Sequence, residues 1–270
     1  MVGRRYAQAA MTRATSNSGP NDARLVRLLT DLAVCDLAFP PKNLAERLGG
    51  VIGFGDSMRL ASFHDELGEM TFEPSPTSSE GLKEDVLQVR ASLVRAVVES
   101  FTPDIGSARS KLPTINADMP VDQLVTFEPY HRFYAAHQRE FESRVQALQL
   151  RVREVACRVS PESGQLAAMD EAMRDIFSMH IRKSLALIPQ LLGKRFVFLQ
   201  QEHRSSKEAS GDEVKSDHPK QDMFEALTQA DGWLERFCKE MQELLLAELE
   251  LRLLPVLGLV EAVDEEVNRK

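Results

Sequence analysis

The sequence predicts an all-α fold: a bundle of three to four long antiparallel helices preceded by a small N-terminal three-helix unit. Three observations predict it. Apolar residues recur at three- and four-residue spacing through most of the chain after residue 81, the period that lines one face of a helix. Proline, glycine and serine gather at a few places between these runs and punctuate them. Residues 241–254, MQELLLAELELRLL, set Leu244, Leu245, Leu246, Leu249, Leu251, Leu253 and Leu254 around most of a helix circumference. A helix that is apolar on so many sides must be covered on several of them, at the centre of a bundle or of a subunit interface. Glu248 and Arg252 mark one polar flank, with Glu250 roughly opposite. Residues 248–253 alternate as a half-buried strand would, but Leu, Glu and Arg favour helix and the flanks are helical.

Taken in order, residues 1–20 form a basic tail with Arg4, Arg5 and Arg13 and no acid. It is expected to be disordered. Its composition also resembles a transit peptide, and Met11 is an alternative start. Residues 21–70 form the small helical unit. Asn21 or Asp22 caps a first helix running to about Leu37, with Leu25, Leu28, Leu29 and Leu32 on one face. Pro40 and Pro41 stop it, and Leu44, Ala45 and Leu48 belong to a second helix that ends at Gly49 and Gly50. Asp56 caps a third, residues 57–67, with Met58, Leu60 and Phe63 as candidates for burial. Residues 71–81 lose periodicity and fill with Pro, Ser and Thr, which predicts an exposed linker.

The bundle occupies residues 82–270. Leu82, Val86, Val89, Leu93, Val97 and Phe101 give its first stripe, and mobile loops are expected at about 103–126 and 204–221. A long helix from about Phe127 to Val159 carries Phe133, His137, Phe141, Val145, Leu148, Val152, Val155 and Val159 along one seam, as in a coiled coil. Ser160 and Pro161 cap and open the next. Its stripe is Leu166, Met169, Met173, Phe177, Ile181, Leu185, Ile188, Leu192, Phe196 and Leu199. Pro189 predicts a kink within one continuous helix. The last helix is expected from about Asp222 through Met223, Leu227, Leu234, Phe237 and Met241, with Pro255 bending or breaking it before residues 256–267.

Composition narrows the function classes. The 33 basic and 41 acidic residues give a formal charge of -8, which argues against general nucleic-acid binding and leaves only a local basic surface. Cys35, Cys157 and Cys238 form no C-x-x-C pair, so neither a disulfide framework nor a zinc cage is indicated, and a reducing cytoplasm is the expected compartment. No run approaches the roughly 20 apolar residues that cross a bilayer, so no membrane span is expected.

Chemistry-bearing motifs are sparse, and no cofactor and no catalytic residue is expected. Glu128 and His131 spell E-x-x-H, the half-motif of di-iron bundles, but no second copy is present and Pro129 inside it reads better as a helix start. Gly49, Gly50, Gly53 and Gly55 lack the strand or lysine of a phosphate-binding loop. A helix-turn-helix over residues 44–67 would meet DNA phosphates with Asp56, Asp65 and Glu66. Arg144, Arg151 and Arg158 repeat every seven residues beside the long stripe. They are either an anion-binding face or the charged shoulders of a helix pair facing acids such as Glu240, Glu243 and Glu248, the reading that heptad logic favours. No serine sits in a G-x-S-x-G elbow.

Several segments resemble a bacterial family known only as a domain of unknown function. They are residues 24–32 with RLVRLL, residues 47–60 with RLG and GFGDSMRL, the Pro129-Tyr130-His131-Arg132 piece with Gln138 and Arg139, and residues 241–259. The resemblance covers most of the chain after residue 20. Phe54 stands where the family usually carries Trp. The resemblance supplies no catalytic residues. It implies association with envelope proteins resembling motor stators, and hence an accessory of such a complex. The expected function is a non-enzymatic helical scaffold or adaptor with a protein partner, self-association being compatible with it. Leu246, Leu251, Leu254, Arg144, Arg151 and Arg158 are the candidate interface residues. The alternatives are a nucleic-acid-binding regulator, and a bundle enzyme or metal protein around Glu128 and His131.

Overall fold

In a computed structural model of the chain, the described residues are 20–33, 53–73, 81–102, 110–113, 126–209 and 232–269. All regular structure among them is helical: α1 (Pro20–Ala33), α2 (Phe54–Leu67), α3 (Leu82–Ser100), α4 (Glu128–Val159), α5 (Pro161–Leu185), α6 (Leu187–Ala209) and α7 (Trp233–Asn268). The expected helix at Leu44–Leu48, the start at Asp222 and most of both long loops lie outside the described residues.

Local chemistry fixes the ends. Pro20 opens α1, which puts Asn21 and Asp22 inside the first turn instead of at the cap. Gly53 is the extended residue before α2, so that helix starts three residues earlier than Asp56 suggested. Asp56 supports the first turn from within, its carboxylate accepting the Gly53 N–H at 3.3 Å. Gly81 precedes α3 with φ +86°, a left-handed conformation that residues with a Cβ adopt at a cost. Between α4 and α5 the extended Ser160 accepts the Ser163 N–H at 3.1 Å, and Pro161 occupies the first helical position, where no N–H is needed.

The expected single kinked helix over residues 161–199 is two helices separated at Ala186. Pro189 offers no amide to Leu185 and its ring crowds that carbonyl, so the chain turns one residue beyond it. The two halves still form one column. Glu142 pairs with Arg182 and Arg153 with Asp170 along α5, while Tyr130 lies 5.6 Å from Phe196 on α6. One antiparallel register against α4 therefore continues across the break. Pro255 does not interrupt α7; it sits on an exposed side, where the Leu251 carbonyl it releases can meet water.

Helix α7 is covered on several sides, by α1, α3, α4, α5 and α6. Met241, Leu244, Leu245, Leu249 and Leu253 are fully buried along it. The shared core also takes Leu25 and Leu32 from α1 and Leu93 and Val97 from α3, with Phe133, Phe141, Leu148 and Val152 from α4. Sequence neighbours α3 and α4 run antiparallel, as Asp85–Arg151 and Ser92–Arg144 contacts show. The two longest helices, α4 and α7, run in the same direction: Tyr130 meets Phe237 and Tyr134 meets Glu248. The helices expected to form an N-terminal unit take separate places. Helix α1 lies on α6 and α7, whereas α2 lies on α5.

Candidate functional site

The polar flank of the leucine-rich segment turns inward. Glu248 is completely buried in α7, one helical turn before Arg252. Its Oε2 accepts from the Tyr134 hydroxyl at 2.9 Å and from Gln138 Nε2 at 3.0 Å. Its Oε1 accepts from Arg252 Nε at 2.9 Å and faces Arg252 Nη2 at 2.7 Å. Gln138 Nε2 also donates to the Leu185 carbonyl at 3.2 Å, the acceptor that Pro189 leaves without a helical amide. The helix break and the buried carboxylate thus share one side chain. Burial foremost, then the adjacent Glu248 charge, pushes the Tyr134 phenol well above its ordinary range, so it remains a donor. With four donor atoms on it, two of them from the Arg252 guanidinium, this carboxylate is committed to joining α4 to α7, and Gln138 extends the link to the Leu185 carbonyl of α5.

A second buried group lies on the other side of α4. Ser100 Oγ donates to the Val97 carbonyl at 2.7 Å, and His137 Nε2 lies 3.1 Å from the same oxygen. Because the hydroxyl proton is taken, Nε2 carries the ring hydrogen and Nδ1 is the lone pair. Nδ1 is buried with no hydrogen-bond partner. Burial lowers the His137 pKa from its ordinary value, against a smaller upward pull from Glu140.

Two further charges are buried in pairs. Arg153 on α4 meets Asp170 on α5, which also accepts from Gln149 at 2.9 Å. Arg195 on α6 grips Glu240 on α7 through Nε at 2.7 Å and Nη2. Beside Glu240, Phe196 is the hub of an aromatic cluster, 5.1 Å from both Trp233 and Phe237. Gly193 lets Phe127 join it, since a Cβ there would lie 3.1 Å from that ring. Cys238 lies against this cluster, and burial, with Glu235, pushes its thiol up to about 12.

The expected site residues fall as follows. His131 Nδ1 is 4.0 Å from Glu128, both side chains are largely exposed, and Glu128 also pairs with Arg132 at 3.2 Å. Among the described residues no group of three or more His, Cys, Asp or Glu is placed to hold a metal. Arg144 bonds Ser92 on α3 at 2.9 Å and Glu140 at 3.4 Å, Arg151 pairs with Asp85 on α3, and Arg158 with Glu154 at 2.7 Å. These are shoulder contacts. Their acids, however, come from α3 and α4 instead of Glu240, Glu243 and Glu248, because α3 is the helix that flanks that side. Leu246 and Leu251 pack partly on the core, and Leu254 is half-buried. In α2, Asp56 lies 3.7 Å from His180 of α5.

Sequence reasoning missed the outer face of α5. Leu166, Met173 and Ile181, expected in the core, are 42%, 45% and 45% exposed. The residues of α5 that turn inward are Ser163, Gly164, Ala167, Ile176 and Leu185. Gly164 explains part of the rotation: Phe72 packs so closely that a Cβ would lie 2.5 Å from its ring. Small residues at 163, 164 and 167 are the signal that could have found this close-packed face.

The described residues define an all-helical protein whose buried ionisable groups tie helices together. The chain belongs to a family of proteins of unknown function, DUF3348, which it matches over residues 11–265. The match begins within the stretch that the resemblance set aside as tail. Comparison with curated proteins and with solved structures returned no match. No helix among the described residues is long and apolar enough to cross a membrane.

Proposed function

We propose that this chain is a non-enzymatic helical scaffold or adaptor that holds a protein partner against the outer face of α5. The observation that carries the reading is the row of Leu166, Met173 and Ile181, each more than two-fifths exposed and spaced by about two helical turns. Rows of exposed apolar side chains mark binding surfaces, and methionine adapts to a partner's shape. The filled coordination of Glu248 supports the non-enzymatic part, since its oxygens already have donors. A cytoplasmic setting suits the free thiols Cys157 and Cys238. An envelope complex of the stator type is the assembly in which the resemblance would place a partner.

Quantitative affinity capture from native lysate tests the reading, comparing the wild-type chain with Met173→Glu and Ile181→Glu. A companion retained by the wild type and lost from both variants is expected. Identical capture profiles for all three chains would count against a working face on α5.

A further inference from the structure

We propose that His137 is a pH-sensitive latch: when its ring takes a second proton, the C-terminal turn of α3 lets go of α4 together with the chain at Leu112, while the rest of the bundle stays folded. The surroundings are built for a neutral ring. His137 is 2% exposed and stands between Phe133, edge-on at 4.8 Å, and Phe141 at 6.0 Å. Its Nε2 hydrogen is spent on Ser100 Oγ, whose own proton goes to the Val97 carbonyl. A proton added at the buried, partnerless Nδ1 meets neither an acceptor nor water, and an unpaired charge in such a place is costly.

Neighbouring charges offset little of that cost. Burial holds the ring neutral, and Glu140 on α4 pulls more weakly the other way, being drawn to Arg144 at 3.4 Å. On α3, Glu99 lies about 100° round the helix from Ser100, and Lys111, beside Leu112, is exposed. On α7, Glu248 is taken by Tyr134, Gln138 and Arg252, and Glu250 faces Arg24 and Arg90.

The part that yields is the end of α3. Phe101 meets Phe133 edge-on at 5.2 Å, and the Ser100 carbonyl accepts the Leu112 N–H at 2.9 Å, so the last turn of α3 and Leu112 are fastened beside the same ring. Phe101 and Thr102 are already half-exposed, and helix ends open at lower free energy than helix centres. Opening restores the ordinary histidine pKa of about 6.5, so the open fraction grows by up to about tenfold at pH 5.5, where carboxylates of ordinary pKa stay ionised.

The test is amide hydrogen exchange on the full chain, with rates corrected for their intrinsic pH dependence, alongside a nuclear magnetic resonance titration of the ring. Between pH 7.5 and 5.5 the amides of residues 98–102 and Leu112 should lose protection several-fold, with about tenfold as the ceiling, while residues 141–156 and 241–253 keep theirs. His137→Gln, which cannot take the proton, should abolish the loss. If that variant does not fold, the wild type decides, because the ring should titrate in step with exchange at residues 98–102. Protection lost evenly over the bundle, a loss that persists in His137→Gln, or a ring that titrates with no change at residues 98–102 overturns the proposal.

Discussion

Replacing Glu248 by alanine removes the one acceptor shared by Tyr134, Gln138 and Arg252. Tyr134 is completely buried, so water has little access to its hydroxyl once the carboxylate is gone. The Arg252 side chain is 14% exposed and would be left with a mostly buried charge. Breaking a buried pair of this kind costs about 3–5 kcal/mol, and total stabilities of single domains run about 5–15 kcal/mol. Urea unfolding followed by far-ultraviolet circular dichroism should therefore show a large loss, with a melting temperature lower by on the order of 10 °C. Tyr134→Phe removes one hydrogen bond to a charged acceptor and should cost about 1.5–3 kcal/mol. Glu154→Ala breaks the exposed pair with Arg158 and should cost under about 1 kcal/mol. A Glu248→Ala variant no less stable than Glu154→Ala would refute the claim that this carboxylate fastens α4 to α7.

Gly164→Ala places a methyl group 2.5 Å from the Phe72 ring. It should lower stability by about 1–3 kcal/mol in denaturant and leave a smaller effect in a Phe72→Ala background. His137 is favoured neutral in the fold because burial lowers its pKa. Its contribution is therefore fully present above its ordinary pKa of about 6.5 and lost as pH falls through that value toward the folded one. Denaturation midpoints between pH 7.5 and 5 should fall, and His137→Gln should flatten this part of the profile. Cys238, with its pKa near 12, should react with a disulfide reagent at pH 8 more slowly than in urea-unfolded chain by at least tenfold; equal rates would contradict its burial.

The long stripe of α4, the cap at Ser160 and the burial of residues 241–254 were legible because each depends on local spacing or local turn chemistry. Which flank turns inward was not. On α7, Glu248 and Arg252 lie among leucines, and their polarity suggests solvent until Tyr134 and Gln138 arrive from a helix more than a hundred residues away. On α5 both the row at Leu166, Met173 and Ile181 and the row at Ser163, Ala167 and Leu185 have helical spacing. Periodicity alone cannot choose between them, and the larger side chains misled. The smaller ones allow α4 to approach closely, which is a property of the packed pair. The acids that meet Arg144 and Arg151 were misassigned for the same reason: heptad spacing identifies a shoulder, but the neighbouring helix decides what faces it. Pro189 was legible as a disturbance. Its conversion into a break was not, and Gln138 Nε2, which donates to the Leu185 carbonyl, comes from a distant helix.

Site-specific photo-crosslinking in living cells tests the central claim most directly, with a photoreactive amino acid introduced in place of Met173 and, separately, of the exposed Glu154 on α4. A discrete covalent adduct of defined mass should form from position 173 and be absent from position 154. No adduct from 173, or the same products from both positions, would contradict the assignment of α5 as the surface through which this protein works.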